Sequence, residues 1–181
     1  MTFQNQDFAL LEEGIPLLSD YLLSNELYWP LKADLPRLTI GGLLLALARA
    51  QVRTVSPAGQ AEVSRFTSQV DAVRSKWTVA WEAKATRELG SRLNLWKNYL
   101  GDIRNASSQY RQDYPNEVRN RVILVLLLAE LPKQPPEAAA LAELDVYLRK
   151  QLDAGGFIWD PELQAAFPQD KFWFLYGNLG V

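Results

Sequence analysis

The sequence predicts an all-α fold: a bundle of five or six helices organised around one long amphipathic helix, about residues 57–112. Three observations predict it. Val63, Phe66, Val70, Val73, Trp77 and Ala80 alternate spacings of three and four, which sets all six on one heptad seam. The seam shifts phase through Trp81, Ala85, Leu89 and Leu93 and resumes at Trp96, Leu100 and Ile103, a stutter that unwinds a supercoil locally without breaking the helix. The segments on either side carry shorter stretches of helical spacing, divided by proline and glycine.

The first helix is expected over residues 6–25, where Phe8, Leu11, Ile15, Leu18, Tyr21 and Leu22 share a face. Pro16 lies inside it and predicts a kink, or a restart near Gly14. Leu27 to Leu31 form an aromatic corner around Tyr28 and Trp29, followed by a loop through Pro36. Thr39 is placed to cap a second helix, Ile40 to about Arg53. Leu43, Leu44, Leu45, Leu47 and Val52 cover most of its circumference, so it should be buried on more than one side.

The long helix opens well, with Ser56 as cap and Pro57 at the first helical position, where its missing N–H had no partner to lose. Pro115 is expected to stop it by biasing Tyr114 away from the α region. Unbroken, it would span roughly 80 Å at 1.5 Å per residue. Its weakest point is Gly90-Ser91, since glycine costs about 1 kcal/mol against alanine inside a helix. The apolar phase carries through Leu89 and Leu93, which favours a continuous helix bent there over a hairpin.

A fourth helix is expected from about Asn116 to Leu131. Val118, Val122, Val125 and Leu126 form one face, and Ile123, Leu124, Leu127 and Leu128 widen it almost all round. Pro132 ends it. A fifth runs from Glu137 to Asp153 on Leu141, Leu144, Leu148 and Leu152, with Gly155 as its C-terminal cap. Asp160-Pro161-Glu162 starts a short sixth helix that ends near Phe167-Pro168. The aromatic tail, Phe172 to Tyr176, should fold back as a final turn or short strand.

Composition sets the limits on function. A chain of 181 residues with 48% apolar and 22% charged residues reads as a single all-α domain, 1–181, with a core large enough to fold alone. It has no cysteine and no histidine. Disulfides, thiolate metal sites and cysteine nucleophiles are thereby excluded, and so are the commonest general base and transition-metal ligand. The N-terminal stretch lacks the basic and apolar regions of a signal peptide, and the longest strongly apolar run, Val122 to Ala129, is far short of a membrane span. A cytoplasmic location is the expectation.

Charge is uneven along the chain. Residues 1–52 carry three bases and six acids, residues 53–121 twelve bases and seven acids, and residues 122–181 four bases and eight acids. A basic middle between acidic flanks suits packing within the molecule. Arg74, Lys97, Arg104 and Arg111 lie beside the seam, with Trp96, Tyr99 and Tyr110 nearby, and could track phosphates. Glu88, Asp102 and Asp113 interrupt that stripe, and the chain is acidic overall at net −2, which argues against nucleic acid as a partner.

Candidate ligand-binding residues fall in two groups. Arg37, Thr39, Gly41 and Gly42 sit at the start of the second helix, where exposed N–H groups can hold an anion. The plainer reading is close helix contact, which also needs small residues. Trp29, Trp159 and Trp173 lie in connectors and tail, and either line a pocket or plug the ends of the bundle. No catalytic residue, metal site or cofactor is indicated. Glu12-Glu13 has no acid in the next turn, and Glu143 and Asp145 point to different sides of their helix. Lys76 and Lys84 have the chemistry for a Schiff base, but nothing marks either one. The function expected is a non-enzymatic interaction or scaffolding protein, either a homo-oligomer or bound to a protein partner through seam left uncovered by the shorter helices. A small-molecule-binding protein or enzyme with an aromatic-lined pocket is the alternative.

Overall fold

The computed structural model describes residues 3–32, 34–105 and 108–180. The protein is an all-α helical bundle with one small antiparallel sheet. Its elements are α1 (Phe3–Leu23), α2 (Ile40–Arg53), α3 (Pro57–Lys76), α4 (Thr78–Asn105), α5 (Ser108–Gln112), α6 (Tyr114–Ala129) and α7 (Pro136–Gln151). After α7 come β1 (Leu152–Phe157), two 3₁₀ turns (Pro161–Ala166 and Trp173–Leu175) and β2 (Tyr176–Leu179). Two compact units make up the chain, Met1–Glu88 and Leu89–Val181, and α4 runs from the first into the second. No helix among the described residues is long and apolar enough to cross a membrane.

In the first unit α1, α2 and α3 pack against one another. α1 buries Leu10, Leu11, Ile15, Leu18, Tyr21 and Leu22, the face its spacing predicts. It does not restart at Gly14. Pro16 is exposed, so the Glu12 carbonyl that loses its N–H partner is on the water side, where the loss is cheapest. Gly14 is needed for a different reason: a Cβ there would sit 3.0 Å from Leu38 Cδ1. α2 begins where expected, with Thr39 Oγ1 accepting from the Gly42 N–H at 2.9 Å. Asp7 on α1 pairs with Arg53 at 3.2 Å and Arg49 at 3.9 Å, which sets a carboxylate against the basic last turn of α2.

The single long helix over 57–112 is not what forms. α3 and α4 are separate helices, divided at Trp77, which adopts φ −120°, ψ 40°. Residues 106 and 107 lie outside the described residues, and α5 follows them. Gly90 is neither a break nor a reversal, because α4 runs through it. The seam explains why the break falls earlier. Val63, Phe66 and Val70 are buried against the first unit, and so are Trp81 and Ala85 further on, but Val73, Trp77 and Ala80 between them are only half-buried. Trp77 is therefore not the core residue its spacing suggests.

The second unit is built on α6, which buries Val118, Val122, Ile123, Leu124 and Leu127. Pro115 does not stop a helix. It sits in the first turn of α6, where a missing N–H costs no intrahelical bond. α7 buries Leu141 and Leu148 and ends at Leu152, whose backbone is already extended. Gly155 is consequently a strand residue, not a helix cap: β1 pairs antiparallel with β2, Leu152 opposite Leu179 and Ala154 opposite Gly177. Gly177 must be glycine at this crossing, since a Cβ would lie 2.4 Å from the Asp153 carbonyl oxygen. The short sixth helix is present as the first 3₁₀ turn, and the tail folds back as the second turn and β2.

Candidate functional site

Five of the seven candidate residues, Trp29, Arg37, Thr39, Gly41 and Gly42, lie in the first unit. Thr39, Gly41 and Gly42 form the cap and first turn of α2, an arrangement that attracts anions. The anion it holds belongs to the chain itself. Glu88 of α4 is fully buried at 0% exposure, and its Oε2 accepts from the Gly41 N–H at 2.8 Å. Arg37 points elsewhere, donating from Nη1 to the Tyr28 carbonyl at 3.3 Å on the exposed side. Trp29 joins the group through its backbone, which exchanges two hydrogen bonds with Leu38 at 3.1 and 2.8 Å. Its ring meets Tyr21 edge-on, centroids 6.4 Å apart.

One turn before Glu88 lies Lys84, 3% exposed. Its Nζ donates to the carbonyls of Ser24 at 2.8 Å and Glu26 at 2.7 Å, just past the C-terminal end of α1, and rests 4.5 Å over the Tyr21 ring. Burial, then Arg87 nearby, pulls the Lys84 ammonium below its usual range, and Glu26 opposes them. Burial, with the Glu88 carboxylate behind it, pushes the Tyr21 phenol well above the usual tyrosine range. These two buried charges were legible in part. Trp81, Lys84, Ala85 and Glu88 fall at i, i+3, i+4 and i+7 of one helix face, so charges occupy a face the seam marks as buried.

No family model, curated protein or solved structure matches this chain.

Trp159 and Trp173 lie in the second unit, in one run of edge-to-face rings. Trp159 meets Phe167 (5.3 Å), Phe167 meets Phe172 (5.1 Å), Phe172 meets Phe174 (6.1 Å) and Phe174 meets Trp173 (5.6 Å). Trp159 Nε1 donates to the Pro115 carbonyl at 2.8 Å, and Arg149 stacks 3.7 Å over Trp173. Arg121 lies beneath the same cluster, 4.4 Å from Phe174, and grips Asp145 through Nε and Nη2 at 2.9 and 2.7 Å. Tyr114 donates to the Phe174 carbonyl at 2.6 Å. Tyr114, Pro115 and Arg121 of α6 and Arg149 of α7 thus tie this cluster to the two helices. Among the described residues no group of three acids converges to hold a metal ion.

The basic stripe is largely engaged within the molecule. Arg74 pairs with Asp71 at 2.7 Å, Arg104 stacks 4.8 Å over Tyr147, and Arg111 donates to the Gly180 carbonyl at 2.6 Å.

The site that sequence reasoning missed is the break between α3 and α4. Lys76, Trp77, Thr78, Val79, Ala80 and Ala83 line a shallow, open depression of about 440 Å³. Val79 is 82% exposed, and Lys76 lies over the Trp77 ring at 5.3 Å. A mainly apolar surface of this kind suits contact with another protein more than chemistry.

Proposed function

We propose that this chain is a non-enzymatic interaction protein that self-associates through the α3–α4 junction. One observation carries the reading: Val73, Trp77 and Ala80 keep heptad spacing yet are only half-buried, beside an exposed Val79. Apolar side chains left half-covered where two helices meet suit contact with another protein. The occupant we favour is a second copy. Lys76 and Glu82 flank Val79 by three residues on either side, so an antiparallel contact about Val79 brings each lysine to the other copy's glutamate, as a two-fold interface requires. A cytoplasmic setting, suggested by the cysteine-free sequence, belongs to the same reading.

Native mass spectrometry at rising concentration tests it. A dimer that Val79→Glu returns to monomer is expected. A different protein found bound at the same stripe would keep the interaction role and change the occupant.

A further inference from the structure

We propose that the Trp77–Thr78 junction is a hinge between the broken state observed and a continuous helix spanning residues 57–105. The break is confined to one residue. The Trp77 N–H still donates to the Val73 carbonyl at 2.9 Å, and the Trp77 carbonyl still accepts from the Trp81 N–H at 2.8 Å, so helical bonding reaches the junction from both sides. The apolar seam crosses it without a change of spacing until Ala80. Neither glycine nor proline stands there to enforce the break.

Thr78 is the first residue of α4. Its hydroxyl is shared between the Arg74 carbonyl at 3.1 Å and the Ser75 carbonyl at 3.2 Å. Those are the acceptors that the N–H groups of Thr78 and Val79 would use in an unbroken helix. The indole N–H of Trp77, meanwhile, is buried with no acceptor from the protein.

Two anchors hold the break from a distance. Val63, Phe66 and Val70 fix α3 in the core, and Lys84 and Glu88 fix α4 to the ends of α1 and α2. A straight helix changes the direction of one anchor relative to the other. The Lys84 and Glu88 contacts are the ones that water can replace, because a released ammonium and carboxylate are readily solvated. Straightening then frees Trp81 and Ala85 and lengthens the exposed seam. The device is a property of the single chain and does not depend on whether a second copy binds.

The test uses the cysteine-free background. Gln69→Cys and Thr86→Cys place spin labels on exposed positions either side of the junction, and the labelled chain is diluted with excess unlabelled protein. A straight helix separates these two backbone positions by about 25 Å, and the broken state gives a shorter distance. We expect the shorter distance to dominate in the parent. A second population near the straight-helix value should appear with Glu88→Gln and grow with Lys84→Met, Glu88→Gln together. Thr78→Ala should raise the straight fraction about threefold, because alanine has the higher helix propensity. A single short distance in every folded variant would overturn the hinge. Glu88→Gln retains an acceptor for Gly41 and keeps the test open if the double variant does not fold.

Discussion

Lys84 and Glu88, one turn apart on α4, close the ends of two different helices. Lys84 supplies a positive charge and two hydrogen bonds where α1 ends, and Glu88 supplies a negative charge and an acceptor where α2 begins. Each charge meets the helix end of opposite partial charge. A buried ion is costly unless its hydrogen bonds are met, and here the backbone of α1's exit and α2's entry meets them. The clasp holds the opening turns of α4, Thr78 to Glu88, within the first unit.

Removing either charge should destabilise the protein through the backbone groups left behind. Glu88→Ala strands the buried Gly41 N–H and is expected to cost about 2–3 kcal/mol. Glu88→Gln keeps an acceptor and should cost roughly half as much. Lys84→Met leaves the Ser24 and Glu26 carbonyls without their donor, and a loss of about 2–3 kcal/mol is expected. Urea unfolding with an unchanged slope measures all three. Equal losses for Ala and Gln at position 88 would mean that charge alone, not the bond to Gly41, matters.

Alkaline pH should unfold the protein through its tyrosines. Burial, ahead of nearby carboxylates, raises Tyr21 and Tyr99 above the ordinary value of 10.0, and burial, ahead of the neighbouring Tyr99, raises Tyr114. The folded chain keeps these phenols protonated while the unfolded chain releases the protons, so stability falls as pH rises through about 10. Lys84 works the other way, because its lowered value makes the folded chain bind less proton. It is one group against three. Phenolate absorbance followed beside circular dichroism should show three of the seven tyrosines ionising only as the helix signal is lost.

The strand crossing gives a sharper structural test. Gly177→Ala forces a methyl group against the Asp153 carbonyl and Leu152 Cγ and should cost about 2 kcal/mol as the backbone shifts. Gly156→Ala, where a Cβ meets nothing within 4 Å, should leave the thermal midpoint near that of the parent.

What was legible in the sequence is what local chemistry decides. α2 carries its own cap at Thr39 and its own apolar face, so its bounds could be read directly. Pro115 was ambiguous because proline both ends helices and starts them, and only the packing of α6 chose between the two. Gly155 looked like a cap because nothing local announces that Tyr176 to Leu179 will return to pair beside it. The break at Trp77 is silent for a similar reason. The seam runs through it, and the groups that hold it lie just past α1 and at the start of α2. Thr39, Gly41 and Gly42 mark the turn that opens α2, but the carboxylate that meets the Gly41 N–H lies 47 residues further on. No short-range spacing links Gly41 to Glu88.

The most direct test of the central claim, that the α3–α4 junction is a surface for a second copy, is native mass spectrometry of the parent and Val79→Glu across the same concentration range. The 20.5 kDa chain should dimerise as concentration rises, and Val79→Glu should stay monomeric with an unchanged thermal midpoint. A parent that remains monomeric throughout with no protein bound, or a dimer that Val79→Glu leaves intact, would contradict it.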